Sequence, residues 1–279
     1  MAYSIREAEP GDVESIVAWT TDTFSWGDYI PEVLPTWLAE PESAVLVSVD
    51  DSDVPVAMCH VSLLSPTEGW LEGARVHPEQ RRSGHGRALN HAGVEWAAAR
   101  GARVMRLATD ASNVAARNQV AGLGYREVSH WLFAEIDVDP AHRTQERYRM
   151  RPAPGSDTEA AWLFWVAGDL ARQSRELIAL GWRWRTARPS DLSAAAGDLI
   201  QSTAGWASVE QPAENWLRCN WMATTPDDIL GLLDGLIGYA AERGVTELDL
   251  KLPDLPWTGE ALRRVGADPG QVVVCSKPI

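Results

Sequence analysis

Lysine is nearly missing from this chain: of 25 basic side chains only Lys251 and Lys277 are lysines, a bias that reads as genomic base composition without mechanistic content. Cysteine is scarce too. Cys59, Cys219 and Cys275 are odd in number and widely spaced, and no Cys-x-x-Cys pair occurs. That argues against a disulfide scaffold and fits reduced thiols in a cytoplasmic protein. The six histidines show no metal-ligand spacing, so no metal is expected. No stretch approaches the roughly 20 apolar residues of a membrane span. The start, MAYSIREAEP, has no basic region leading into an apolar core, so no secretory signal is expected. Net positive charge is lacking as well. A formal charge of −14 argues against nucleic acid, whose binding needs clustered positive charge, and disfavours an acidic membrane.

What is present is 279 residues, 45% hydrophobic, enough for two globular domains of ordinary size. The most informative run is residues 76–89, Val-His-Pro-Glu-Gln-Arg-Arg-Ser-Gly-His-Gly-Arg-Ala-Leu. Val76 ends an apolar stretch and Pro78 stops a strand. Gly84 and Gly86 open a helix whose first apolar anchor is Leu89. Glycines there let backbone N–H groups approach an anion at a helix N-terminus, where the dipole favours negative charge. Arg81, Arg82 and Arg87 add charge-assisted donors for phosphate oxygens. The pattern asks for a pyrophosphate, against the local trend of an acidic chain.

Arg81-x-x-Gly84-x-Gly86 resembles the acyl-CoA signature of the GNAT (GCN5-related) N-acetyltransferases. The flanks agree. A helix-period run (Leu89, Ala92, Trp96, Ala99) closes at Gly101, a strand Val104–Leu107 follows, then Asn113-x-x-Ala116 leads into Gly124-Tyr125. Upstream, Ile5-Arg6-Glu7-Ala8 before Pro10-Gly11-Asp12 looks like the family's first strand and helix start. The resemblance covers residues 3–138. It implies an α/β (α+β) domain with a central mixed, mostly antiparallel sheet flanked by helices. It also implies acetyl-CoA as co-substrate and an amine as acceptor. Arg75, Val76, Arg81, Arg82, Ser83, Gly84, His85, Gly86 and Arg87 become its cofactor-binding residues, joined by Asn113 on the pantetheine and Arg117 on a phosphate. Asn113 as a plain helix N-cap is the competing reading.

Acetyl transfer to an amine needs a base for the ammonium proton and a donor for the thioester carbonyl. The resemblance places the pantetheine along Gly69–Val76, with Val76 N–H as the carbonyl donor. Glu72, four positions earlier, shares Val76's face under strand alternation, barring a bulge. It is the first candidate base, and a solvated strand-edge carboxylate otherwise. His60 and His130 are further catalytic candidates, each also readable as a structural histidine. Many family members carry a Tyr seven residues after the Asn as general acid; here that position is Val120. Tyr125 replaces the usual Phe and reads as core.

The second half repeats the plan. Pro66 with Trp70-Leu71 matches Pro212 with Trp216-Leu217, and Trp96-Ala97-Ala98-Ala99-Arg100-Gly101 matches Tyr239-Ala240-Ala241-Glu242-Arg243-Gly244. One register starts the second copy at Met150-Arg151-Pro152-Ala153. The other starts at Trp184-Arg185-Thr186-Ala187-Arg188-Pro189 and leaves 157–180 as a linking helix. The first is preferred. The domains expected are 1–138, a GNAT acyl-CoA-binding catalytic domain, and 148–279, a degenerate copy, with 139–147 as aperiodic linker. Opposite residues 81–87 the copy has Thr224-Thr225-Pro226-Asp227-Asp228, without glycines and with two carboxylates that would repel pyrophosphate.

Eight of the fourteen tryptophans follow residue 160, while Trp19, Trp26 and Trp37 fall where the family's acceptor pocket is lined. The reading reached is an acetyl-CoA-dependent N-acetyltransferase for a small-molecule amine or peptide, without nucleic-acid or membrane partner. It would be a monomer acting as a pseudo-dimer of its halves, or a homodimer. A non-catalytic acyl-CoA-binding protein and a partner-binding protein are the alternatives.

Overall fold

The computed structural model describes residues 4–21, 23, 27–193 and 198–279. The chain packs as two compact units with interleaved boundaries. The first comprises residues 1–107, 119–126 and 276–279, the second 108–118 and 127–275. The segment read as a linker, 139–147, lies wholly within the second.

In the first unit, β1 (Ser4–Glu7) leads through a one-turn 3-10 segment at Pro10–Asp12 into α1 (Val13–Thr20) and α2 (Ile30–Ala39). Then come β2 (Ser43–Val49), β3 (Pro55–Ser65), β4 (Glu68–Val76), α3 (His85–Ala98) and β5 (Val104–Asp110). The strands lie in sequence order, antiparallel except for β4 with β5. Alternation divides the sheet's side chains. Val45, Val47, Val49 and Met58 join Ile16, Ile30, Leu34 and Trp37 under α1 and α2. Cys59 and Leu71 face α3, where Leu89 O and Gly93 meet them. α3 begins at Gly84, whose φ of 88° is left-handed and suits glycine, and the chain reverses at Gly101 (φ 98°). Arg6 forks onto Asp12 with bonds of 2.7 and 3.0 Å, and Asp12 also accepts Glu9 N–H, which fixes the turn into α1.

α4 (Val114–Gly122) and β6 (Arg126–Asp137) follow, and the second unit continues with β7 (Arg151–Pro152), α5 (Asp157–Ala167), α6 (Asp169–Ser174), β8 (Leu177–Leu180) and β9 (Arg183–Thr186). Next are β10 (Asp198–Ser202), β11 (Gly205–Ala213), β12 (Trp216–Ala223), α7 (Ile229–Glu242), β13 (Glu247–Pro253), α8 (Pro256–Arg264) and β14 (Gly270–Pro278). Its sheet runs β14-β6-β13-β12-β11-β10-β7, with β12 and β13 parallel. From β10 to β14 this reproduces the element order of β2 to β6. β7 pairs antiparallel with β10 as β1 does with β2, and two helices follow it, so strand pairing supports the register that starts near Met150. The other register survives only locally. Arg185 forks onto Asp191, which accepts Arg188 N–H, the same clamp as Arg6–Asp12, yet β9 pairs with β8 in a separate two-stranded sheet.

Segment 139–150 is not a free linker. It lies on α7, where Gly231, Gly235 and Gly238 present backbone at helical spacing. A Cβ on Gly231 would come within 2.4 Å of the Tyr148 ring, and one on Gly235 within 2.3 Å of Tyr148 O. Thr144 Oγ1 donates to Asp234 O and His142 bonds the Asp234 carboxylate. α7 is therefore buried on nearly every side, beyond the single apolar face its sequence pattern predicts.

Candidate active site

The turn between β4 and α3 is shaped by its own residues. Pro78–Gln80 form one 3-10 turn, with His77 Nδ1 accepting Glu79 N–H at 3.2 Å. Arg82 (φ 65°) and Gly84 (φ 88°) are left-handed and bring the backbone round to the helix start. Ala88 N–H is the first to find an acceptor inside α3, at Gly84 O, so the amides before it point out of the helix N-terminus unused by the helix. His85 Nδ1 pairs with Ser48 Oγ at 2.9 Å, tying the turn to β2. Arg81, Arg82 and Arg87 are exposed and make no side-chain hydrogen bond or ion pair among the described residues. Three uncommitted guanidinium groups around a glycine turn fit a diphosphate.

Beside this turn the sheet opens. Among the described residues β4 and β5 pair at Glu68–Trp70 with Val104–Arg106, and none pairs with β4 on that side from Leu71 onward. His77 N–H bonds to Val56 O on β3, so alternation turns Val76 N–H towards the gap. The slot next to the phosphate cradle thus carries a backbone donor at its end.

A bulge corrects the face expected for Glu72. His60 pairs with Glu72 but Met58 pairs with Arg75, so β4 holds one extra residue, at Gly73 (φ 65°). Glu72 and Val76 therefore point to opposite sides of the sheet. Val76 faces α3, with its Cγ2 near Gly86, while Glu72 lies on the α1–α2 side and bonds His60 Nδ1 at 3.0 Å. Arg75 is on that side too. It forks onto Asp28 at 2.7 and 3.0 Å with its guanidinium over the Tyr29 ring, so the side chain of this expected cofactor-binding residue is engaged on the α1–α2 side. Burial pushes the Asp28 carboxyl up, but the bonds from Arg75 and Thr23, the Arg75 charge and the Ile30 amide together outweigh it, and the group ends below the usual carboxylate range.

His60 is completely buried. The Trp37 ring stacks on it at 4.5 Å and 5°, and its Nε2 stands 3.6 Å from Glu40. It cannot meet a substrate directly, which corrects its reading as a base acting alone. Glu72 keeps 16% of its side chain exposed. Sequence reasoning missed Asp28, Tyr29 and Glu40, which only the fold brings beside β4.

Other expected residues are committed elsewhere. Asn113 Oδ1 accepts Ala116 N–H at 3.0 Å, the N-cap geometry. Arg117 forks onto Glu127 at 2.7 and 3.2 Å and donates to Ala111 O; the Glu127 bond raises its pKa, and its free charge for a phosphate is gone. His130, exposed and 3.6 Å from Glu127, belongs with both to the second unit, whereas the His60–Glu72 pair belongs to the first. Tyr125 is core, as expected, its hydroxyl accepting from Asn90. Trp19 donates to Pro55 O, and Trp26 lies outside the described residues. A separate open groove of about 580 Å³, between α3 and β1–β2, contains none of these groups.

Residues 13–125 match the model of the Acetyltransferase (GNAT) family. This stretch is a GNAT acetyltransferase domain. An aminoglycoside N(6')-acetyltransferase type 1 of Stenotrophomonas maltophilia is 27% identical over 148 residues, half of this chain and 97% of that protein. A GCN5-related N-acetyltransferase from Sphaerobacter thermophilus superposes over 99% of this chain and 95% of its own with a TM-score of 0.65 at 20% identity. The glucosamine N-acetyltransferase region of a fungal multi-domain β-N-acetylglucosaminidase also gives 0.65, at 13% identity, over 99% of this chain and 38% of that one. The structural likenesses establish the fold: a mixed, mostly antiparallel sheet with flanking helices, in two GNAT-like parts. The GNAT assignment carries acyl transfer as the general chemistry, with an N-acetyltransferase as its enzyme class and acetyl-CoA as the family's donor.

The second GNAT-like part keeps the opening and fills it. β12 and β13 pair only as far as Cys219 and Leu250. Beyond them a cavity of about 20 Å³, room for one water, is lined by Trp131, Trp165, Asn220, Trp221 and Lys251. At its helix start Asp228 accepts the Thr225 hydroxyl at 2.7 Å, with Asp227 alongside. Among the described residues no cluster of His, Cys, Asp or Glu could hold a metal ion, and no helix is long and apolar enough to cross a membrane.

Proposed function

We propose that the protein is an acetyl-CoA-dependent N-acetyltransferase for a small-molecule amine. Residues 1–138 supply the catalytic domain and residues 148–279 a degenerate copy that binds no CoA. The observation that carries this is the parting of β4 and β5 immediately beside a glycine turn with three uncommitted arginines. Acetyl-CoA, when bound, supplies the thioester. Arg81, Arg82, Arg87 and the amides at Gly84–Gly86 hold its diphosphate, and Val76 N–H polarises the carbonyl in a preformed geometry that needs no reorganisation. Glu72 takes the ammonium proton from the α1–α2 side. With Asp28 balanced by Arg75, Glu40 and Glu72 leave that side acidic, which suits a cationic acceptor, and the relative from Stenotrophomonas acts on an aminoglycoside. Val120, at the position of the family's usual general acid, has no proton to give the leaving thiolate. A thiolate with a pKa near 8.5 leaves without one near neutral pH.

Val120 also favours a second reading, acyl-CoA binding without turnover. Thiol release from acetyl-CoA decides between them, with an aminoglycoside, a hexosamine, a diamine and a lysine peptide as acceptors. Release with an amine and a loss of about 10²-fold in Glu72→Gln, acetyl-CoA affinity staying within about threefold, is expected. Tight acetyl-CoA binding with no release for any amine would overturn the enzyme reading.

A further inference from the structure

We propose that Glu40, His60 and Glu72 form a proton exit from the acceptor site, through which the ammonium proton reaches water while substrates fill the site. The inference rests on Glu72 as the base. His60 has no exposed surface and lies between two carboxylates, Glu72 at Nδ1 (3.0 Å) and Glu40 at Nε2 (3.6 Å). Its Nε2 makes no hydrogen bond although it is buried, a costly arrangement that a satisfied structural histidine would avoid. Trp37 stacked flat on the ring fixes the plane in which its two nitrogens lie. Glu40, just past the last turn of α2, is 24% exposed in its side chain and opens the far end to solvent. Among the described residues, Tyr29 and the Asp28–Arg75 pair also face this row. Asp28 and Arg75 hold each other, so Glu40 is the partner left at Nε2.

The protons balance as follows. Glu72 accepts one from the acceptor ammonium and becomes a carboxylic acid. It passes that proton to Nδ1 while Nε2–H passes its own to Glu40, which releases it to water. After products leave, Glu72 is open to solvent and the ring resets by the reverse transfer, one proton entering at Glu40 and one leaving at Glu72. Only O–H and N–H bonds change. His60 and Glu40 act through Glu72 and never touch the acceptor.

The test is the single-turnover rate of acetyl transfer, with acetyl-CoA and kanamycin as probes, in Glu40→Gln, Glu40→Asp and His60→Gln. Glu40 is partly exposed, so its variants fold even where the buried His60→Gln does not. A packing role predicts that the isosteric Gln is harmless and the shorter Asp worse. The relay predicts the reverse: Gln slows transfer by about 5- to 20-fold, Asp restores most of it, and acetyl-CoA affinity is unchanged. The proton inventory in mixed H2O and D2O should be bowed in the parent and linear in Glu40→Gln. An unchanged rate in Glu40→Gln, or Asp slower than Gln, overturns the relay while Glu72→Gln still loses activity. Unchanged transfer in Glu72→Gln, or no transfer by the parent, overturns the base assignment and the relay with it.

Discussion

Two glycines two residues apart should respond to alanine in opposite senses. Gly86 lies in the first turn of α3 and has no positive φ. A Cβ there meets the Gln119 amide at 3.2 Å, the far end of a flexible side chain, and Val76 Cγ2 at an ordinary contact distance of 3.8 Å. Replacing a helical glycine by alanine gains about 1 kcal/mol, and displacing the amide gives back a part of that. Gly86→Ala should therefore keep or slightly raise stability, by 0 to about 1 kcal/mol, a rise in Tm of up to roughly 3 °C for a chain of this size. The same methyl stands where backbone amides meet a diphosphate. Holding one charged acceptor off its donors costs about 1.5–3 kcal/mol, a loss of about 10- to 100-fold in acetyl-CoA affinity. Gly84→Ala must hold a β-carbon at φ 88° and should lose about 1–2 kcal/mol of stability. Calorimetric titration with acetyl-CoA and thermal melts on both variants make the comparison. Unchanged affinity in a well-folded Gly86→Ala would refute the cradle.

Arg117→Ala should leave acetyl-CoA affinity within about twofold, because Glu127 already holds that guanidinium, whereas Arg82→Ala should weaken binding by about 3- to 10-fold with a shallower salt dependence. Asp12 bears on acid stability. The Arg6 bond holds its carboxyl below the usual range, so its contribution is complete above about pH 4 and fades as pH falls through the lowered value. The Tm gap between the parent and Asp12→Asn should shrink from pH 5 to pH 2; a constant gap would contradict this. Gly235→Ala, driven against Tyr148 O, should cost at least about 2 kcal/mol in chemical denaturation.

The cradle was legible because residues 81–87 write their conformation locally: glycines where φ turns positive or backbone must come near, and arginines with no carboxylate among them. The fate of Arg75 and Arg117 was not, since Asp28 is 47 residues from Arg75 and no spacing rule joins them. Glu72's face was lost to a bulge, though a lone glycine inside a strand pattern was a readable warning at Gly73. The copy's register was legible in its strands but obscured by a second Arg–Asp clamp, a local motif that forms wherever its few residues occur. The segment after residue 139 lacks periodicity because it packs through a ring and a carbonyl; its signal was the glycine spacing on α7, at 231, 235 and 238.

The Gly73 bulge also limits how this site can change. One strand must supply a side chain to the acceptor face and, four residues on, a backbone donor to the slot, while Val76 packs under α3. A strict two-residue alternation cannot place Glu72 with Arg75 on one face and Val76 on the other. Removing one residue at the bulge would reverse the allegiance of everything after it, uncoupling Arg75 from Asp28 and turning Val76 away from α3. Keeping the bulge but adding a methyl at Gly73 drives it to within 2.6 Å of Trp37, the ring that pins His60. Acceptor preference can therefore drift through the α1–α2 segment, where side chains are exchanged one at a time. The strand beneath it tolerates neither a length change nor a larger residue at that point.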